Sequence, residues 1–210
     1  MIINYFSKRL MWGLVLCGLY STVAHCDIAT TKHNFSVGGP GTIKASSQTE
    51  ICIFCHAPHR TSPAQPLWNH SSTVTTFIAY DRTVSQTLKS NPGQPNGSSK
   101  LCLGCHDGTV AVGATGSVGT IAGLESPISG GGTVGTNLSG SHPVSFTYDA
   151  ALVSLNPELV APSSLDPRIK LDSSSRVQCT TCHDPHDDTN GKFLVMTNTG
   201  GSLCLSCHNK

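Results

Sequence analysis

The chain has 210 residues, of which 38% are hydrophobic, 6% aromatic and only 12% charged, with thirteen basic residues against twelve acidic ones. A formal charge of +1 offers no basic surface for nucleic acid. The neutral, Gly/Ser/Thr-filled surface has little self-repulsion and so permits close association of copies.

In chain order, Lys8 and Arg9 precede an apolar run from Leu10 to Tyr20 and small residues through Ala24, the arrangement of a cleavable secretory signal. That run is too short to span a bilayer. The expected organisation is a signal peptide over 1–26 and a single domain over 27–210, with cleavage after Cys26 or after Ala24. Cutting after Cys26 removes a thiol that would stand unpaired in an oxidising compartment. It leaves eleven basic residues against twelve acidic ones.

Next comes His33 in "TKHNFSVGGPG", then "CIFCHAPH" (52–59), "LCLGCH" (101–106), "CTTCHDPH" (179–186) and "LCLSCH" (203–208). Eight cysteines thus fall into four C-x-x-C-H units. In such a unit the thiols add to the vinyl groups of a haem and the adjoining imidazole becomes an axial iron ligand. Zinc or a thioredoxin-like redox pair would explain C-x-x-C. Neither explains a histidine in the next position four times out of four.

The cysteines expected to hold four covalently attached haem c groups are therefore Cys52, Cys55, Cys102, Cys105, Cys179, Cys182, Cys204 and Cys207. His56, His106, His183 and His208 are the proximal ligands. With so little chain per porphyrin, the expected fold is that of a multihaem cytochrome c. It is mostly loop with short helices and few short strands, and the haems form the core.

The order C-x-x-C-H-x-P-H then L-C-L-x-C-H occurs twice, so the halves 52–106 and 179–208 read as duplicates. The motif starts lie further apart in the first half, which places an insertion carrying "PLWNHSSTVTTFIAY" there. The Gly/Ser-rich connection 109–178 holds no haem motif. Gly130, Gly132 and Gly135 match G-x-G-x-x-G with Asp149 downstream, but no buried strand precedes them and no helix follows, so a loop over the haems is expected.

Five further histidines remain after processing: His33, His59, His70, His142 and His186. Met196 is the one thioether competitor. Five candidates suffice for four distal positions, closing every iron with two imidazoles, as electron carriers do and haem enzymes do not. His70 lies in the insertion and is the expected spare. His59 and His186 each follow a proximal histidine by three residues, too few to pass around a porphyrin, so each must serve a different haem. His33 and His142 complete the distal set, and His33, with "GGPG" just after it, reads as an arm able to reach an adjacent copy.

The segments "TKHNFSVGGPGTIKA", "CIFCHAPH", "PLWN", "LCLGCHDGTVAVG", "SHPVSF", "VQCTTCHDPHD", "GKFLVM" and "LCLSCHNK", in this order, resemble the tetrahaem OmcE-like extracellular cytochromes of metal-reducing microbes. The resemblance implies head-to-tail filaments, or nanowires, in which a histidine of one subunit completes a haem in the next. It also implies a secreted, cell-surface location reached through the periplasm. The implied partners are further copies of the chain, other multihaem cytochromes and extracellular electron acceptors. A soluble periplasmic tetrahaem shuttle needs the same ligands, and a multihaem oxidoreductase would need one iron left open.

Overall fold

The computed structural model describes residues 27–59 and 67–210. The signal peptide expected over 1–26, with both cleavage sites, lies outside the described residues. Among those residues, loops and turns predominate and regular elements are short. The helices are α1 (Gly97–His106), α2 (Ala150–Leu155), α3 (Cys179–Cys182) and α4 (Ser202–Leu205). The strands are β1 (Ala114–Thr115), β2 (Gly119–Thr120), β3 (Phe146–Thr147) and β4 (Arg176–Val177). They form two antiparallel pairs, β1 with β2 and β3 with β4. Asp149 caps α2, its Oδ1 accepting the Leu152 N–H at 2.9 Å, so the acid downstream of the glycines serves a helix N-terminus.

Apolar burial is divided among three small clusters. Ala45, Phe54, Val112, Ile121 and Leu124 form the first, packed against Ile53 and Cys55 of the first motif. Phe146, Tyr148, Leu152, Leu159 and Val177, all of the connection, form the second, packed against Cys207 of the last motif. Phe77, Leu103 and Leu138 form the third. None is large enough to be the core of a domain this size, in keeping with a chain built around prosthetic groups.

The segment read as a free arm is folded in. Ala45 N–H donates to Phe35 O and Val37 N–H to Gln48 O, both at 2.8 Å, and Phe35 packs edge-on to Phe54. Gly39 is glycine for a steric reason: a Cβ there would stand 2.0 Å from the Asn34 carbonyl oxygen. The "GGPG" stretch is a tight turn, not a hinge, and the arm reading of His33 is corrected accordingly.

The duplication extends beyond the motifs, and it moves the insertion. Ala57 N–H donates to Leu67 O (3.1 Å) and Cys55 O accepts Asn69 N–H (2.9 Å); likewise Asp184 N–H donates to Phe193 O (2.8 Å) and Cys182 O accepts Val195 N–H (3.0 Å). Leu67 and Phe193 both adopt positive φ, 66° and 58°. Leu67–Trp68–Asn69 is thus the counterpart of Phe193–Leu194–Val195. The extra chain of the first half begins only after Asn69.

Candidate functional site: four C-x-x-C-H turns and their imidazoles

Each motif folds as a turn of helix, which places the two sulfurs on one side and carries the histidine back over the first cysteine. The N–H groups of His56, His183 and His208 donate to Cys52 O, Cys179 O and Cys204 O at 2.8, 3.0 and 3.0 Å. The motif at 102–106 forms the last turn of α1.

Three of these histidines are then clamped by an antiparallel bridge: His56 to Trp68, His183 to Leu194 and His208 to Leu159. At His208 the clamp consists of Val160 N–H to Cys207 O (2.9 Å) and Asn209 N–H to Glu158 O (2.6 Å). His106 is held differently. Its carbonyl accepts the Val134 N–H (2.7 Å), and its Nδ1 donates to Gly132 O at 2.6 Å. The glycine-rich loop, with Gly132 at φ 108°, therefore wraps onto a proximal histidine.

Ring orientation is fixed by the nitrogen that would not bind metal. Nδ1 of His183 donates to Lys192 O (2.9 Å), Nδ1 of His142 to Pro143 O (2.9 Å), and Nδ1 of His186 faces Asp184 Oδ1 at 3.3 Å. With Nδ1 so occupied, Nε2 is the free lone pair, as in histidines that ligate metals. Burial lowers the pKa of His33 and of His208, in each case with help from a neighbouring imidazole, which favours the neutral, ligating form.

The imidazoles come together in pairs. His33 and His106 have ring centres 5.9 Å apart, His56 and His186 6.1 Å, and His142 and His208 6.4 Å. Two imidazoles on opposite sides of one metal, with metal–nitrogen bonds of about 2.0–2.1 Å and about 1.1 Å from nitrogen to ring centre, stand about 6 Å apart. The residues present therefore fit haem c iron. Among the described residues no three His, Cys, Asp or Glu side chains converge on a bare metal site. An open cleft of about 400 Å³ beside Cys52 and His56 is also lined by His59, Glu50, Ser117 and Val118.

The ring of His186 lies beside His56 of the other half and not beside His183. His33 pairs inside its own chain and also stacks on Phe193 at 4.4 Å. His59 and His183 have no imidazole neighbour among the described residues. His70 is buried, with its ring nitrogens 2.8 Å from Ser71 O and 3.1 Å from Ala111 O. Met196 is buried too, its sulfur accepting the Ser206 hydroxyl at 3.4 Å. Both ring nitrogens of His70 and the Met196 sulfur thus face hydrogen-bond partners, and His70 Nε2 also stands 3.2 Å from Cys105 Sγ.

The thiols also establish a spatial order. Cys55 raises both Cys102 and Cys105, Cys102 and Cys179 perturb one another, and Cys182 is raised by Cys207 and Cys204. The motifs thus neighbour one another in the order of the sequence. As free thiols, Cys55 and Cys105 are pushed up by burial to about 11 and about 12. Cys179 is drawn down to about 7, chiefly by the hydrogen bond from Cys102.

Residues 174–210 match the family model of the doubled CXXCH motif. That match, with the same helical turn at the other two motifs, points to covalently bound haem c and to electron transfer, the chemistry of multihaem c-type cytochromes. No curated protein matches the chain. Among the described residues no helix is long and apolar enough to cross a membrane.

Proposed function

We propose that all four motifs carry haem c and that the chain conducts electrons as a subunit of an extracellular, OmcE-like filament. The observation that carries this reading is the pairing of His33 with His106, His56 with His186 and His142 with His208 at ring-centre distances of 5.9, 6.1 and 6.4 Å, at which two imidazoles could hold one iron. Haem supplies one-electron oxidation and reduction at iron. The chain's part would be to offer a second imidazole at the motifs of His56, His106 and His208 and to hold the motifs in an unbroken line. That favours an electron carrier over an enzyme.

The fourth pair would be His183 with His59. In a head-to-tail contact, His59 of one copy meets the motif at His183 of the next, and because such an interface does not close, it propagates as a filament. Export by the signal at 1–26 would place the polymer at the cell surface, where other multihaem cytochromes and external acceptors are its partners. The closure of three pairs within one chain favours one rival, a soluble periplasmic tetrahaem shuttle in which His59 turns back on its own chain.

The test is the intact mass, spin state and negative-stain image of secreted protein, wild type beside His59→Ala. The wild type should carry four low-spin haems and form filaments. His59→Ala should be a tetrahaem monomer with one high-spin iron. Wild-type monomers would support the shuttle, and filaments of normal length from His59→Ala would remove His59 from the interface.

A further inference from the structure

The side chain of Gln178 is 1% exposed and engages more partners than any motif residue. Its Oε1 accepts from the hydroxyls of Ser99 (2.5 Å) and Ser145 (3.1 Å), and its Nε2 donates to Asn96 Oδ1 (3.0 Å) and Asp172 Oδ2 (2.8 Å). The Ser99 hydroxyl in turn accepts the Cys179 N–H at 3.0 Å. Ser99 is fully buried. On the rim, Ser98 and Thr180 join hydroxyls at 2.7 Å.

The bonds to Asn96 and Ser99, with those of Cys179 to Ser99 and Ser98 to Thr180, run between α1, which carries Cys102, and the entry to α3, which carries Cys179; those to Ser145 and Asp172 anchor the amide to the segments before β3 and β4. This is the place where the duplicated halves meet, and nothing about haem attachment requires it to be polar. An amide side chain that makes all its bonds in a buried site fixes position far better than an apolar contact, because any shift leaves an unpaired group out of water. α1 and α3 pack on one another, and the thiols of Cys102 and Cys179 perturb each other across the same seam. The attachment points on the two sides are therefore held edge to edge.

We propose that Gln178, acting through Ser99, is a positioning residue for electron transfer: it sets the spacing of the groups attached at Cys102 and Cys179, and so the electronic contact between the halves. The inference rests on the reading that both motifs carry haem. Glycine at position 97 is part of the same design, since a Cβ there would stand 2.9 Å from Gln178 Nε2.

The experiment compares wild type with Gln178→Ala and Ser99→Ala as secreted holoproteins. Each is read by intact mass for haem count, by absorption spectra for ligation, and by circular dichroism in the Soret band for haem–haem coupling. Both variants should keep the wild-type haem count and low-spin spectra but lose the part of the Soret couplet that arises across the seam. An unchanged couplet in either correctly loaded variant overturns the proposal. So does loss of a haem from the motif at 102 or 179, because the seam would then govern attachment and not spacing. If Gln178→Ala fails to fold, Ser99→Ala alone decides. A wild type carrying fewer than four haems would count against the tetrahaem reading, and the seam would still be judged on the haems it flanks.

Discussion

The imidazole of His186 lies nearly parallel to that of His56, ring centres 6.1 Å apart and planes 20° from one another, although the two residues belong to opposite halves of the duplicated chain. The ring of His186 thus lies beside the motif at Cys52 and Cys55, not beside the one three residues before it. His186→Ala should create one high-spin iron and bind one equivalent of carbon monoxide when reduced. In a chain whose Cys52 and Cys55 are both replaced by Ala, adding His186→Ala should create no such site. Carbon monoxide binding in that triple variant would assign His186 to another iron.

His70 should behave in the opposite way. Both its nitrogens face backbone carbonyls, its Nε2 stands 3.2 Å from Cys105 Sγ, and it bridges to Thr115 in β1. A neutral ring donates to one of these carbonyls, so its loss removes one hydrogen bond, about 0.5–1.5 kcal/mol, together with the packing of a buried side chain. His70→Ala should therefore keep every haem low-spin while lowering the midpoint of chemical denaturation. A new high-spin haem in this variant would show that His70 is a ligand after all.

Much of this arrangement could be read from the sequence, because C-x-x-C-H is a local chemical signature and its helical turn needs only its own residues. The extent of the repeat was less legible. Leu67–Trp68–Asn69 and Phe193–Leu194–Val195 share no residue type at matching positions; they share a positive φ and a pair of backbone hydrogen bonds. His33 was misread as an arm because glycines signal freedom equally well where the chain must pass close to itself, as Gly39 does against Asn34. Gln178 gave no signal, since its role depends on Ser99, Asn96 and Ser145, which only the fold brings to it.

Position 184 is where the two halves differ in electrostatics: Asp184 occupies the place held by Ala57 in the first half. Its Oδ1 accepts the His186 backbone N–H at 2.9 Å and faces Nδ1 at 3.3 Å. A carboxylate taking the Nδ1 proton makes the imidazole a more basic ligand, and this favours ferric iron. Asp184→Asn keeps the turn and removes the charge. Since both side chains are about half exposed, solvent screens the effect. One reduction potential should rise on the order of 30 mV, roughly half of the ~59 mV that a tenfold change represents for one electron. A redox titration showing no rise, or a fall, would remove Asp184 as a tuning group.

Tyr148 joins the second hydrophobic cluster to the last motif. Its ring is buried with Phe146, Leu152, Leu159 and Val177, and its hydroxyl donates to Val160 O at 2.7 Å and lies 3.3 Å from Cys207 O, the two carbonyls flanking the bridge at His208. Burial, followed by the nearby Cys207, pushes the phenol up to about 12. The neutral form is therefore the one the fold favours. Its stabilising effect is complete below the unfolded value of about 10 and is lost as pH rises from there through about 12. Tyr148→Phe keeps the packing and loses the hydrogen bonds, costing about 1–2 kcal/mol at neutral pH. The variant and the wild type should then converge in stability between about pH 10 and pH 12, because the wild type alone pays the cost of ionising a buried phenol. Denaturation midpoints measured across that range test this directly, and a constant gap between the two proteins would show that the Tyr148 hydroxyl does not titrate with the fold.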